Sequence, residues 1–238
     1  MSPTTSSTQL KVICSGGFRT AYQMVLPEFE QSTGITVTTG AGASQGDSPQ
    51  TIGAQLRRGA HADVVVMSRE GLDELITEDR IVAQSVVDLA STPTGVAVRA
   101  GAPLPDIGTV DAFRQTLLRA RSVAFPASTT GFYLVKKLFP RLGIADALAG
   151  KSSTKGAAAV ASGEVEIAIR PASELLGVAG ISYVGTMPAE LQFISVFSAA
   201  IVAGSKEIDA ARRLIEFLAS DRATTAIQKA GMERLTAR

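Results

Sequence analysis

Small hydroxylated residues and glycines follow directly on short apolar runs along this chain, and that combination does anion chemistry. Ser15-Gly16-Gly17 follows Leu10-Lys11-Val12-Ile13-Cys14. Gly42-Ala43-Ser44 comes just after Ile35-Thr36-Val37-Thr38-Thr39, and Ser68-Arg69-Glu70 follows Ala62-Asp63-Val64-Val65-Val66-Met67. Further on, Ser122-Val123-Ala124-Phe125 leads to Ser128-Thr129-Thr130-Gly131, and Val165-Glu166-Ile167-Ala168-Ile169 ends at Arg170. Hydroxyls donate hydrogen bonds, glycines let a ligand approach the backbone, and N–H groups at a helix start favour negative charge. Arg69 and Arg170 would add planar, two-pronged donors suited to a carboxylate.

Other chemistries find less support. Cys14 and His61 are the sole residues of their types, so thiolate metal clusters and internal disulfides are excluded. Cys14 ends an apolar strand and reads as a small buried hydrophobe. His61 precedes a strand, at the sheet end opposite the expected pocket. No paired acid–base constellation stands out by spacing, and no cofactor or metal is expected.

The elements that position these turns alternate. Apolar runs of strand length are separated by stretches of helical periodicity, which predicts β-α-β-α-β with a parallel sheet. The first helix is predicted over about 18–31, with Phe18, Tyr22, Val25, Leu26 and Phe29 on one face and Pro27 kinking or splitting it. Ser48-Pro49 reads as a cap and first turn of a second helix ending near Arg58, preceded by an exposed loop at 45–47. A short third helix covers 70–77. Composition changes near Ser91-Thr92-Pro93-Thr94, and a second unit follows: a strand at 96–98, a helix over about 110–120, and a helix over 132–142 after the hydroxyl turn. An alanine-rich helix is expected at 156–162. A strand over 193–202 returns, and two helices, after Ser205 and after Ser220, close the chain with Gly231 as a stop.

The chain has 238 residues, enough for one large core or two modest ones, and its formal charge is +1. No run of Lys or Arg exceeds two residues, which disfavours nucleic-acid binding. No apolar run approaches the roughly 20 residues of a membrane span. Met1 to Gln9 is Ser/Thr-rich without the basic start and apolar centre of a secretory signal. The expected location is periplasmic if a signal peptide has been removed, and cytoplasmic otherwise.

Several motifs together resemble the class II solute-binding proteins, and among them the molybdate-binding type, a group that also includes aconitate isomerase. They are Ser15-Gly16-Gly17-Phe18 with Leu26-Pro27-Glu28-Phe29 and Thr33-Gly34-Ile35; Gly42-Ala43-Ser44; Gly59-Ala60 with Ala62-Asp63-Val64-Val65; and Leu214-Ile215-Glu216-Phe217-Leu218-Ala219-Ser220. The resemblance covers nearly the whole chain. It implies two doubly wound α/β lobes joined by two crossover strands, 1–92 plus 197–238 and 93–196, with a ligand cleft between them. By position it implies ligand contacts at Ser15, Ser44, Ser128-Thr129, the Lys155-Gly156 helix start and Arg170-Pro171. Two departures from the pattern stand out: Pro171 replaces a tyrosine of the molybdate binders, and 45–49 is extra sequence.

Each candidate also has a plainer reading. Ser15, Gly16 and Gly17 could form only a tight turn, Ser48 only a cap, and Arg69, like Arg19, only surface. Arg170 could pair with Glu164, Glu166 or Glu174. Tyr133 is core or pocket wall. The residues taken as ligand-binding are Ser15, Gly16, Gly17, Ser44, Arg69, Ser128, Thr129 and Arg170. An arginine at the pocket favours a di- or tricarboxylate over a metal oxyanion. The reading preferred from sequence is a monomeric binding protein that holds a small anion, with an ABC permease as the partner that transport would require. The alternative is an isomerase that moves an allylic proton on a tricarboxylate such as aconitate.

Overall fold

The computed structural model describes residues 8–236, so most of the Ser/Thr-rich Met1–Gln9 segment lies outside the described residues. In chain order the elements are β1 (Gln9–Cys14), α1 (Gly16–Thr33), β2 (Thr36–Ala41), α2 (Ile52–Arg57), β3 (Val64–Ser68), α3 (Arg69–Thr77) and β4 (Val87–Arg99). Then come α4 (Val110–Arg119), β5 (Val123–Ala124) and α5 (Thr129–Tyr133), which runs through a π-helical turn (Leu134–Leu138) into α6 (Phe139–Arg141). These are followed by α7 (Ala145–Ala149), β6 (Ser152–Ser153), α8 (Ala157–Ala161), β7 (Ile167–Pro171) and β8 (Ile181–Thr186). The chain closes with β9 (Ile194–Ile201), α9 (Ile208–Ala219), α10 (Thr224–Lys229) and β10 (Glu233–Arg234). Two compact units result: one runs to Ala90 and resumes at Val196, the other spans Ser91–Ser195. The two crossings lie within β4 and β9.

In the first unit the sheet order is β2-β1-β3-β9. The expected parallel pairing is present: β1 pairs β2 with Cys14 beside Ala41, and β3 with Cys14 beside Val66. β9 runs antiparallel to β3, with Ser68 beside Phe197. Side-chain alternation along β3 feeds two cores. Val64 and Val66 join Phe18, Tyr22 and Phe29 of α1 and Leu214 and Leu218 of α9. Val65 and Met67 face the other way, onto Ile52 and Leu56 of α2 and Leu72 and Leu75 of α3. A strand covered on both faces must be apolar throughout, which is why β3 reads as an unbroken hydrophobic run. Truncating Phe18 or Phe29 to alanine is expected to cost about 3–5 kcal/mol.

The second unit has the order β8-β4-β7-β5-β6, parallel between β7, β5 and β6 and antiparallel around β4. Phe113 and Leu117 of α4, with Leu134, Leu138 and Phe139, cover one face. Val160 and Leu175 pack on the other, against Ala97, Ala124 and Ala168. Both units are therefore doubly wound.

Four sequence expectations change. Pro27 neither kinks nor splits α1, which runs unbroken to Thr33 and stops at Gly34 (φ 71°). Its position faces solvent, where the carbonyl left without a donor costs least. The cap of α2 is Thr51, whose Oγ1 accepts from Ala54 N–H at 3.2 Å. Ser48 instead accepts from Gln50 N–H in the preceding turn. The helix expected over 132–142 begins three residues earlier, at Thr129, so Gly131 is helical rather than part of the turn. A Cβ on Gly131 would lie 1.8 Å from the Pro126 carbonyl oxygen, so only glycine permits that approach. Finally, the strand expected at 96–98 is much longer: β4 runs from Val87 to Arg99 straight through the composition change at 91–94, with Pro93 just before the stretch, from Thr94 on, that pairs with β7.

Candidate functional site

In the first unit the functional side chains sit where β1, β2 and β3 give way to helices or turns. Ser15 leaves β1 as the N-cap of α1, and its N–H bonds the Val66 carbonyl at 2.8 Å. That bond fixes the first turn against the third. The residue is 2 % exposed, yet its hydroxyl has no hydrogen-bond partner and makes no capping bond. A buried hydroxyl left unpaired costs about 1–3 kcal/mol. It sits at the amino end of an 18-residue helix with no acidic residue in its first turn, so the positive end of the dipole is not neutralised locally. Gly16 is exposed beside it. Gly17 has a packing reason of its own, since a Cβ there would lie 2.1 Å from the Phe197 ring.

Ser44 joins the same edge. Its Oγ accepts from Ser68 N–H at 2.8 Å, which ties the turn after β2 to the end of β3 and leaves its proton able to donate elsewhere. Ser68 in turn caps α3, accepting from Gly71 N–H. Arg69 is fully engaged within the unit: Nε bonds Asp73 at 2.8 Å and Nη1 bonds Asp88 at 3.0 Å. Asp88 also accepts from the Ser198 hydroxyl at 2.6 Å. Arg19 reaches over the same strand ends and donates to the Cys14 carbonyl at 2.6 Å. Glu70, in the first turn of α3, has a buried Oε2 with no hydrogen-bond partner. Burial pushes its carboxyl above the usual range, the nearby Asp73 adds to that, and its own N–H and Arg69 pull the other way. Cys14, wholly buried, has its thiol pushed up to about 12 by desolvation, which fits an inert core residue.

In the second unit β5 and β6 end in register, with Ala124 beside both Ser153 and Ala168, while β7 runs on to Pro171. Ser128 leaves β5 half-buried and makes no capping bond to α5. Thr129 is buried, and Thr130 shares a 3.4 Å hydroxyl contact with Ser195. Arg170 ends β7 with its Nε 2.8 Å from Glu174, so one of its plainer partners is in place. Its Nη1 lies 3.4 Å from the Lys155 carbonyl, which brings the 155–156 segment and the β7 end together. Tyr133 stacks on Phe193 at 4.8 Å and donates to the Leu191 carbonyl, a structural use of the ring. Lys155 pairs with Glu164.

Three groups escaped the sequence reading. Ser153, Ser173 and Glu70 each carry a buried oxygen with no partner, and none sits in a motif that announces it. An acid in a first helical turn is ordinarily only a dipole partner. Among the described residues no cluster of three or more His, Cys, Asp or Glu could hold a metal ion, and no helix is long and apolar enough to cross a membrane. What the strand ends offer is donors: hydroxyls, helix-start N–H groups and, in each unit, an arginine.

Comparison with known proteins follows the same line. The chain is 39 % identical over 234 residues to an aconitate isomerase from Pseudomonas sp, covering 97 % of this chain and 89 % of that protein. It is similar in structure to the periplasmic molybdate-binding protein of Azotobacter vinelandii, with a TM-score of 0.71 and 18 % identity over 96 % of this chain and 100 % of that one. PEB3 with bound L-phospholactate, a protein of Campylobacter jejuni, gives a TM-score of 0.69 at 15 % identity, covering 94 % of this chain and 99 % of that one. Likeness at such identities speaks to fold alone, and the fold is the solute-binding one that the sequence motifs implied. Residues 10–233, nearly all of the described chain, match one family along their whole run, and the chain belongs to the bacterial extracellular solute-binding proteins.

Proposed function

We propose that this protein takes a small di- or tricarboxylate of the aconitate type on its strand-end donors and moves a proton within it. The observation that carries the reading is Ser15: a hydroxyl 2 % exposed, without a partner, at the amino end of a long helix. A ligand carboxylate there would satisfy the hydroxyl and meet the first N–H groups of α1 together. Ser44 adds a free O–H in the same unit; the second unit, taken by itself, holds Ser128, Thr129 and Arg170 at its own strand ends. An arginine favours a carboxylate, whose two oxygens match its planar fork. The likeness to aconitate isomerase supports both the tricarboxylate and the proton movement. Arg69, held by two carboxylates, contributes through the shape of its turn rather than by direct contact.

A second reading, favoured by the description of the family, keeps the same ligand without chemistry: capture in the periplasm and delivery to an ABC permease. Thermal unfolding with trans-aconitate, citrate and molybdate tests what both readings share. The carboxylates should raise the melting temperature and molybdate should do so less. At 100 times its Kd a ligand adds about 2.7 kcal/mol to stability. Stabilisation by molybdate alone would sink the carboxylate assignment.

A further inference from the structure

The strand ends of the first unit also hold an acid with one carboxylate oxygen that no structural contact uses. Three carboxylates cluster around the start of α3, and two of them are spoken for: Asp73 and Asp88 are both bound to Arg69, and Asp88 also accepts from Ser198. Glu70 is the exception, with one carboxylate oxygen buried and unpartnered. Its position follows from the backbone. It is the second residue of α3, two residues after Ser68, whose N–H bonds Ser44 Oγ. Val66, two residues before Ser68, holds the N–H of Ser15. The chain segment that carries Glu70 is thus tied by hydrogen bonds to both hydroxyl residues of this unit's proposed ligand set.

We infer that Glu70 is the proton-transfer group, a catalytic residue that removes and returns the allylic proton of an unsaturated tricarboxylate. The inference rests on the proposed function above. The Glu70 carboxylate takes a proton from the CH2 group next to the double bond of trans-aconitate: the C–H bond breaks and an O–H bond forms on Glu70. The electron pair spreads over the three-carbon allylic unit and its carboxylates, where hydroxyl and N–H donors stabilise the developing charge. Glu70 then returns the proton to the far carbon of that unit. The double bond moves by one position, the product is cis-aconitate, and Glu70 is a carboxylate again. No oxidant, reductant or second substrate is consumed. Partial burial suits the task, because a carboxyl group with a raised pKa is a stronger base toward a carbon acid.

The test compares the full-length native protein with Glu70→Gln, a change that keeps shape and removes the base. Calorimetry with trans-aconitate reads binding, and proton NMR in deuterated buffer reads exchange of the allylic hydrogens and formation of cis-aconitate. The expected result is a Kd within about threefold of native and exchange lowered by about 10²–10⁴-fold. Glu70→Ala should be equally slow and should recover part of the exchange when formate is added, so the inference stays testable if the glutamine variant folds poorly. Exchange by Glu70→Gln within threefold of native overturns the inference, as does loss of binding in step with loss of exchange. A native protein that binds trans-aconitate tightly with neither exchange nor formation of cis-aconitate overturns it too, while leaving the carboxylate receptor reading in place. No binding of any carboxylate removes the proposed function itself.

Discussion

Ser44 and Ser68 are joined by a single 2.8 Å hydrogen bond, side chain to backbone, that closes the turn after β2 onto the end of β3. The Ser15 N–H to Val66 carbonyl bond closes the turn after β1 onto the same strand. Two turns distant in sequence are thereby held to one strand. Donors fixed in this way need no ordering of their own before they meet a ligand.

Ser15→Ala should separate binding from stability. Replacing a serine N-cap ordinarily costs about 0.5–2 kcal/mol because a capping bond is lost. Here no capping bond exists and the hydroxyl is buried unpaired, so the ligand-free variant should be as stable as native or more so. Affinity for the carboxylate should fall by about 1.5–3 kcal/mol, the worth of a hydrogen bond to a charged group. Urea unfolding and calorimetry on one sample read both; a clear loss of ligand-free stability would return Ser15 to a purely structural role.

Arg170→Lys keeps the charge and removes the fork. If the guanidinium meets the ligand, affinity should drop by about 1–3 kcal/mol even though Lys can still face Glu174. Unchanged affinity would assign Arg170 to its ion pair with Glu174 and its contact to the Lys155 carbonyl, and to nothing more.

Glu70 gives a pH signature in folding stability. Its folded pKa is raised above the ordinary 4.5, chiefly by burial, so the protonated form is the one the fold favours. The stability it contributes is fully present below the unfolded pKa and is lost as pH rises through the folded value. Glu70→Gln stays neutral and escapes that loss. The difference in unfolding free energy, variant minus native, should therefore grow in the variant's favour from acid to neutral pH. Urea titrations at both ends measure it, and a difference independent of pH contradicts the burial of this carboxyl.

Gly131→Ala tests the tight entry to α5. A Cβ at this position meets the Pro126 carbonyl oxygen at 1.8 Å, and a backbone oxygen has less room to yield than a side-chain tip. Overpacking of this kind costs about 1–3 kcal/mol or more. Guanidinium unfolding should show that loss together with weaker ligand binding, because the helix start that carries Ser128 and Thr129 must shift.

Much of the framework was legible in the residues alone. β3 announces itself as an unbroken apolar run because both its faces are covered, and β1 and β7 by the shorter apolar stretches 12–14 and 167–169. The faces of α1 and α9 follow from spacing, and the hydroxyl turns after β1, β2 and β5 follow from where those runs stop. Local signals misled where tertiary packing outweighed them. Ser48-Pro49 has the stronger cap pattern, but Thr51 lies where the chain enters α2. Gly131 looks like part of a turn, but it lies within α5, where the Pro126 carbonyl approaches too closely for any Cβ. Pro27 looks like a break, yet the buried face of α1 holds the helix together past it.

What the strand-end residues do was decided by the fold. Sequence offered Arg69, Arg170 and Ser44 as donors, and only packing shows Arg69 bound to Asp73 and Asp88, Arg170 shared with Glu174, and Ser44 still able to donate. It offered no base, because the oxygen of Glu70 becomes noteworthy only when Arg69 has taken its acidic neighbours. Asp88 itself is fixed by a hydroxyl 110 residues away, at Ser198. Composition and spacing fix which groups lie at the strand ends, since they reflect local backbone geometry. Whether each polar atom is satisfied depends on partners far along the chain, and burial turns an unsatisfied one into a demand for a ligand.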